Sequence, residues 1–171
     1  MYVDLAALDA TTTFQGDIIT NFPFYLLENS AGLRKNRNGQ FSRVPNNSAG
    51  DVGLHAIESK KRNVMVLSQT CDVQRRTNII LCPVYDLPEF IIDNTINADR
   101  ARDIRARGIY YWFYLPEFLP LRESIADLQT MIYVPRSVID GFPARRIGSL
   151  SHLGRHHLAW SLATFFGRPI E

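Results

Sequence analysis

Val64-Met65-Val66-Leu67-Ser68-Gln69-Thr70-Cys71-Asp72 joins an apolar run to small, polar and reactive side chains. Four successive apolar residues, bounded by polar ones, predict a strand buried on both faces. Ser68, Gln69 and Thr70 then open it into a loop, and loops held on rigid strands are where binding and chemical groups concentrate. Lys60, Lys61 and Arg62 precede the strand, and Arg75 and Arg76 follow the loop. The polar residues are therefore held between two positive clusters.

Working outward, residues 78–83 (Asn-Ile-Ile-Leu-Cys-Pro) read as the antiparallel partner of this strand, with residues 71–77 as the connecting loop. The pairing puts Cys82 in the core, where free cysteine is commonly found. Upstream, Gln15-Gly16-Asp17 is a turn signal followed by a first strand from Ile18, which Pro23 is expected to stop or confine to an edge. Residues 28–53 are rich in Asn, Ser, Gly, Arg and Lys and read as an insertion, with Asn38-Gly39 as a tight turn between short strands.

Downstream, residues 97–107 predict a helix with Asn97 as N-cap and Gly108 as terminator. Asp99 with Arg102 and Asp103 with Arg107 stand at helical pairing distances. Residues 109–115 form an aromatic strand with Tyr111, Phe113 and Leu115 on one face and Tyr110, Trp112 and Tyr114 on the other. The second face can stack bases or pack under the preceding helix. Residues 127–134 read as a further strand, residues 136–140 as a helical turn. A last helix is capped by Ser149 or Ser151 and faces the core with Leu153, Leu158, Leu162, Phe165 and Phe166.

A length of 171 residues suits one domain, 1–171, with insertions at about 28–53 and 93–118. Hydrophobic content of 46% and charged content of 21% are those of a folded globular chain. Net charge is only +2, yet the segment from Arg34 to Arg76 carries nine basic and three acidic residues, and the remainder is net negative. Clustered Arg and Lys of this kind suit an anionic ligand or nucleic acid, and equally a solvated loop. No leader pattern or long apolar run is apparent, so a cytoplasmic location without membrane contact is expected, with Cys71 and Cys82 as free thiols.

Taken in order, Gly16-Asp17-Ile18, Arg62 entering an apolar strand that ends at Ser68, residues 79–84, residues 127–134 and a capped C-terminal helix resemble the MazF and PemK toxin family. The resemblance covers about half of the chain. It implies an α+β fold: a small SH3-like antiparallel β-barrel with a packed C-terminal helix, here carrying an inserted helix. It also implies RNA as substrate and a toxin–antitoxin context, with a protein partner or a second copy of the chain. In that family the Arg of an Arg-Pro pair and a Thr closing the next strand are associated with RNA cleavage. Arg62 matches the first, with Asn63 in place of proline; the second position falls near Tyr85 and holds no Thr.

The expected site is a basic groove. Metal-independent RNA cleavage needs a base for the 2′-hydroxyl, an acid for the leaving oxygen, and cations for the phosphorane. Arg62 and Arg75 offer charge, and Asp72 and Tyr85 offer proton transfer. Lys60, Lys61, Ser68, Gln69, Arg75 and Arg76 are the candidate nucleic-acid contacts. Two other readings stay open: a non-catalytic interaction or regulatory module, and a cysteine-dependent enzyme using Cys71 with a base such as His55, His152 or His156. The spacing of His152 and His156 can bind zinc, but Gly154 lies between them and no metalloprotease Glu does, so neither metal nor other cofactor is expected. No Gly-rich phosphate loop, CxxC pair or Gly-x-Ser-x-Gly elbow is present.

Overall fold

The computed structural model describes residues 1–9, 12–26, 33–35, 41–43, 58–92, 96–139 and 145–167. The chain divides into two compact units, one of Met1–Phe22 with Arg62–Glu171, the other of Pro23–Lys61. In the second, β2 (Leu33–Lys35) and β3 (Phe41–Arg43) pair antiparallel, with Leu33 opposite Arg43. The Asn38-Gly39 turn expected between them lies outside the described residues, as does His55.

The larger unit is built on an antiparallel half-barrel sheet with helices against it, an α+β architecture. Its centre is the pair predicted from sequence, β4 (Glu58–Val66) against β5 (Asn78–Asp86), with Val64 opposite Pro83 and Met65 opposite Cys82. Val64, Met65 and Val66 are fully buried, as a strand covered on both faces requires. Outward on one side lie β7 (Ser124–Asp127) and β6 (Trp112–Leu115), on the other β1 (Asp17–Leu26) and β9 (Arg146–Ser149). β8 (Ile132–Pro135) also pairs with β5.

One face of the sheet holds the main core, where Met65, Leu67, Cys82, Val84, Phe113 and Leu115 meet Leu158 of α5 (His152–Gly167). The other face packs beneath α2 (Leu87–Ile92) and α3 (Ala98–Arg105), around Leu87, Ala101, Ile104 and Ile125. The aromatic strand is shorter than expected, and its alternation holds only within β6: Phe113 and Leu115 are buried in the main core and Trp112 and Tyr114 turn to the helical side, whereas Tyr111, expected beside Phe113, packs on the helical side and Tyr110 lies 6.3 Å from Phe165 of α5.

Several expectations are corrected. Residues 71–77 are not a plain loop, because Thr70–Arg75 forms a short helix, α1, anchored by buried Val73, with Asp72 in its first turn and Arg75 in its last. Residues 127–134 are not one strand. Between Ala126 and Ile132 the chain advances six residues while β5 advances three, from Val84 to Leu81, and the excess is folded into a turn. The Asp127 carboxylate organises that turn by accepting from the Gln129 N–H at 3.0 Å and the Thr130 hydroxyl at 2.7 Å. β1 runs on through Pro23, whose position lies beyond the residues of β1, Asp17 to Ile19, that pair with β9. Residues 136–139 do form a helical turn, α4 (Arg136–Ile139).

Helix α3 starts as expected, the Asn97 side chain accepting from the Arg100 N–H at 2.8 Å. Its end differs by one position. Arg107, with φ 59°, takes the left-handed place, and Gly108 follows it, its N–H reaching the Asp103 carbonyl at 2.8 Å while the Arg107 N–H reaches that of Ile104 at 2.9 Å. Ser151, rather than Ser149, caps α5, accepting from the Gly154 N–H at 3.2 Å. Of the apolar residues assigned to that helix's core face, Leu158 is buried and Leu162 and Phe165 pack on the core, but Leu153 and Phe166 are exposed.

Gly16 and Asp17 tie the sheet to its edges. Gly16 has φ 81°, and a Cβ there would lie 2.8 Å from the Leu150 side chain, so both backbone and space call for glycine. Asp17 is buried and pairs with Arg146 at 2.9 Å while accepting from the Phe14 N–H at 2.9 Å. Burial pushes the Asp17 carboxyl up, against the Phe14 hydrogen bond and the Arg146 charge, which favour ionisation. Arg146 also donates to the carbonyls of Thr12 at 3.0 Å and Asp9 at 2.6 Å, so one guanidinium fastens the N-terminal segment over the sheet.

Candidate nucleic-acid interface

The register that sets Asn63 opposite Val84 places the next pair outward, Arg62 and Tyr85, on the helical face of the sheet. The Arg62 guanidinium carbon lies 5.0 Å from the Tyr85 ring centre, a cation–π contact. Its Nε is buried without a hydrogen-bond partner among the described residues, and no carboxylate among them pairs with it. Burial raises the Tyr85 phenol above its ordinary range, opposed by the Arg62 charge and assisted by Asp127 and Cys82. The phenol therefore keeps its proton at neutral pH.

Aromatic rings continue from this pair. Tyr85 lies 5.3 Å from Phe90 of α2, and Phe90 meets the edge of Trp112 at 6.3 Å. At the far end the Arg100 guanidinium stands 5.8 Å from the Trp112 ring and 5.7 Å from that of Tyr111, and donates to the Tyr111 hydroxyl. Cations thus stand at both ends of a row of planar rings, a pattern suited to phosphates and stacked bases. The aromatic strand and the arginine-rich helix each signalled part of this row in sequence. Phe90 carried no such signal, and the meeting of the three elements is a product of the fold.

The other predicted site residues lie elsewhere. Arg62 and Ser68 are six strand residues apart, about 20 Å at 3.3 Å per residue. The Ser68 hydroxyl accepts from the Ile80 N–H at 2.9 Å. Beyond it, on α1, Cys71 is exposed with its thiol 3.8 Å from the Gln69 side-chain oxygen, and Asp72 pairs with Arg76 at 3.5 Å. Arg75 and Arg76 are exposed. Arg62 and Tyr85 therefore come together, whereas Cys71 and Asp72 belong to the opposite end of β4 and share no cleft with them. Lys60 and Lys61 both belong to the second unit, and Lys61 is exposed.

Both cysteines are free thiols, Cys82 fully buried. Burial, with the Asp127 charge, drives the Cys82 thiol far up, which leaves it inert. Neither His152 nor His156 is buried, and the Nδ1 of His157 accepts from Arg107 at 2.7 Å. No group of three His, Cys, Asp or Glu side chains suited to a metal occurs among the described residues. A separate polar network joins β6 to α3: Arg105 grips both Glu123 oxygens at 2.7 and 2.8 Å, and the Tyr114 hydroxyl donates to one of them at 2.8 Å. That network lowers the Glu123 carboxyl, chiefly through the Arg105 hydrogen bonds, while burial and Glu123 push Tyr114 up to about 12. Among the described residues no helix is long and apolar enough to cross a membrane.

No family model and no curated protein matches the chain. Among solved structures it is similar to MazF from Deinococcus radiodurans, at 12% identity and a TM-score of 0.43, and to the MazE–MazF structure from the same organism, at 11% identity and the same score. Each match covers 92% of this chain and 98% of the other. The resemblance drawn from Gly16-Asp17-Ile18, Arg62 and the later strands leads to the same family name.

Proposed function

We propose that the chain binds single-stranded RNA through the row running from Arg62 and Tyr85 to Trp112 and Arg100. The observation that carries this reading is the Arg62–Tyr85 stack: a guanidinium held on an aromatic face, with no carboxylate partner among the described residues to neutralise it. Such a group meets a phosphate without first breaking an ion pair, and the neighbouring rings accept bases of any sequence. The reading is one of binding without cleavage. Asp72, one of the two groups expected to offer proton transfer, stands at the opposite end of β4.

A second reading, metal-independent endoribonuclease, is favoured by one feature of the same pair. Tyr85 retains a proton that it can donate to a leaving oxygen, and Arg62 can stabilise the charge developing on phosphorus. The two separate in one experiment: incubation of the full chain with a fluorescent mixed-sequence RNA, followed by anisotropy and by denaturing electrophoresis. Saturable, salt-sensitive binding of intact RNA that weakens in Arg62→Ala supports the first. Cleavage lost in both Arg62→Ala and Tyr85→Phe supports the second, and no RNA binding in low salt overturns both. Sedimentation of the same sample reports whether a second copy joins the complex.

A further inference from the structure

At its outer end the row that starts from Arg62 and Tyr85 opens into a hollow of about 460 Å³ between α3 and β6, with Trp112, Arg100, Asp99 and Asp103 in its lining. The space suits a nucleobase. Trp112 and the Arg100 guanidinium give it planar surfaces, and Arg100 is held in place 5.8 Å from the Trp112 ring by donating to the Tyr111 hydroxyl.

The two carboxylates of the hollow differ. Asp99 is neutralised by Arg102 at 2.5 Å. Asp103 has Arg107 as its expected partner one turn on, but Arg107 leaves the helix with φ 59° and meets His157 Nδ1 at 2.7 Å instead. Among the described residues the Asp103 carboxylate therefore has neither an ion pair nor a side-chain hydrogen bond. Such a group repels a phosphate, so it suits a base edge rather than the backbone of a strand. A carboxylate only accepts. Guanine alone among the four RNA bases presents two adjacent donors on its Watson–Crick edge, N1–H and the 2-amino group. Adenine and cytosine set one amino group beside a ring-nitrogen acceptor, and uracil sets one N–H between two carbonyls. The two oxygens of a carboxylate meet the guanine donors side by side and oppose an acceptor in each of the other three.

We propose that this hollow reads a guanine of the bound strand, the base stacked at Trp112 and Arg100 and donating from N1 and the 2-amino group to Asp103. The inference rests on the reading of the row as an RNA interface, and it adds selectivity at one nucleotide to stacking that tolerates any base elsewhere.

Asp103 is exposed on α3, so its replacement probes recognition without entering the core. In anisotropy titrations of the full chain, a decauridylate carrying one central guanosine should bind about tenfold more tightly than decauridylate itself. Adenosine or cytidine at that position should give no gain, and inosine, which lacks the 2-amino group, only part of it. Asp103→Ala should erase the guanosine advantage without weakening the all-uridine strand. Asp103→Asn should pass the advantage to adenosine, because an amide offers one acceptor and one donor, the complement of the adenine edge. Mononucleotides separate the hollow from the row. Trp112 and Trp160 are the two tryptophans of the chain, so in Trp160→Phe the emission comes from Trp112 alone. GMP should quench it at least fivefold more tightly than AMP, and adding Asp103→Ala should remove the preference. Equal affinities for the guanosine and uridine strands, or a guanosine advantage that survives Asp103→Ala, overturn the guanine site and leave the row standing. If no strand binds, the row falls and GMP decides the hollow: a preference lost with Asp103→Ala supports it, and equal quenching by GMP and AMP overturns it.

Discussion

The Arg62 guanidinium rests 5.0 Å above the centre of the Tyr85 ring, with its Nε buried and unpartnered among the described residues. A lysine cannot reproduce this planar stack, so Arg62→Lys keeps the charge and loses the geometry. Arg62→Ala should weaken RNA uniformly across sequences and reduce the slope of log affinity against log salt by about 1. Tyr85→Ala should cost about 1–3 kcal/mol of binding with little change in that slope. Anisotropy titrations over a salt series measure both quantities; identical slopes for Arg62→Ala and the parent would remove Arg62 from the interface.

The buried pair of Asp17 and Arg146 should dominate the response of the fold to charge removal. Asp17→Ala leaves the Arg146 cation, at 6% side-chain exposure, with two carbonyls and the Phe14 ring but no counter-charge, a loss of about 3–5 kcal/mol. Urea unfolding followed by circular dichroism reads this as a lower midpoint with an unchanged slope. A midpoint within error of the parent would mean that Thr12 and Asp9 suffice to hold Arg146.

Gly16 is the sharpest steric constraint in the sheet. Gly16→Ala adds a Cβ 2.8 Å from Leu150 at a φ of 81°, so strain and clash act together. A cost of about 2 kcal/mol or more is expected, lowering the melting temperature by about 4–8 °C. Leu150→Ala removes Cγ and Cδ1 but keeps the Cβ at 2.8 Å, so it relieves the clash only in part and leaves the φ, and the double variant should be slightly less than additive in calorimetry.

Glu123 should give the fold an acid-sensitive component. Its folded carboxyl is lowered from the ordinary value of 4.5 by Arg105 and Tyr114, so its contribution is fully present above that value. The contribution is lost as pH falls through the folded value, where the unfolded chain has already taken up its proton. Glu123→Gln should therefore be less stable than the parent at pH 7, with the gap closing in acid. A gap of constant size across the pH series would assign the loss to packing instead.

Thiol chemistry tests the cysteine-dependent alternative directly. One thiol per native chain should react with an aromatic disulfide, at exposed Cys71, and the second, Cys82, only in denaturant. Cys71→Ser should leave RNA binding unchanged, since α1 stands about 20 Å from Arg62 along β4. A loss of RNA binding in that variant would bring α1 back into the interface.

The parts of the fold legible in sequence were those written in contiguous residues. Residues 64–67 announce a doubly buried strand because four apolar side chains in a row need cover on both faces, and Asn97 announces a helix start because its cap acts three residues away. The turn at residues 128–131 was hidden because Leu128 and Met131 continue the apolar pattern, and the Asp127 hydrogen bonds that break the strand leave no periodic trace. Helix α1 is too short to show a 3.6-residue repeat. For the site, Arg62 and Tyr85 were nameable, but grouping them with Asp72 treated closeness in sequence as closeness in space. A strand carries its two ends apart. The bond between Arg146 and Asp17 spans 129 positions and had no local signal at all.

The sheet's outer strands carry a consequence for behaviour at high concentration. β6, β8 and β9 are four residues each; Pro116 follows β6, and β8 ends in Pro135. The edge of β9 is occupied by the chain itself, with the Val3 N–H on the Ser149 carbonyl at 2.9 Å and Tyr2 bridged to Leu150. Short, proline-blunted or self-covered edges deny a neighbouring molecule the row of free amides on which fibrils are templated. Displacing Met1–Val3 from β9, for instance by Tyr2→Pro, should make amyloid-type assembly faster than in the parent, which thioflavin fluorescence would register.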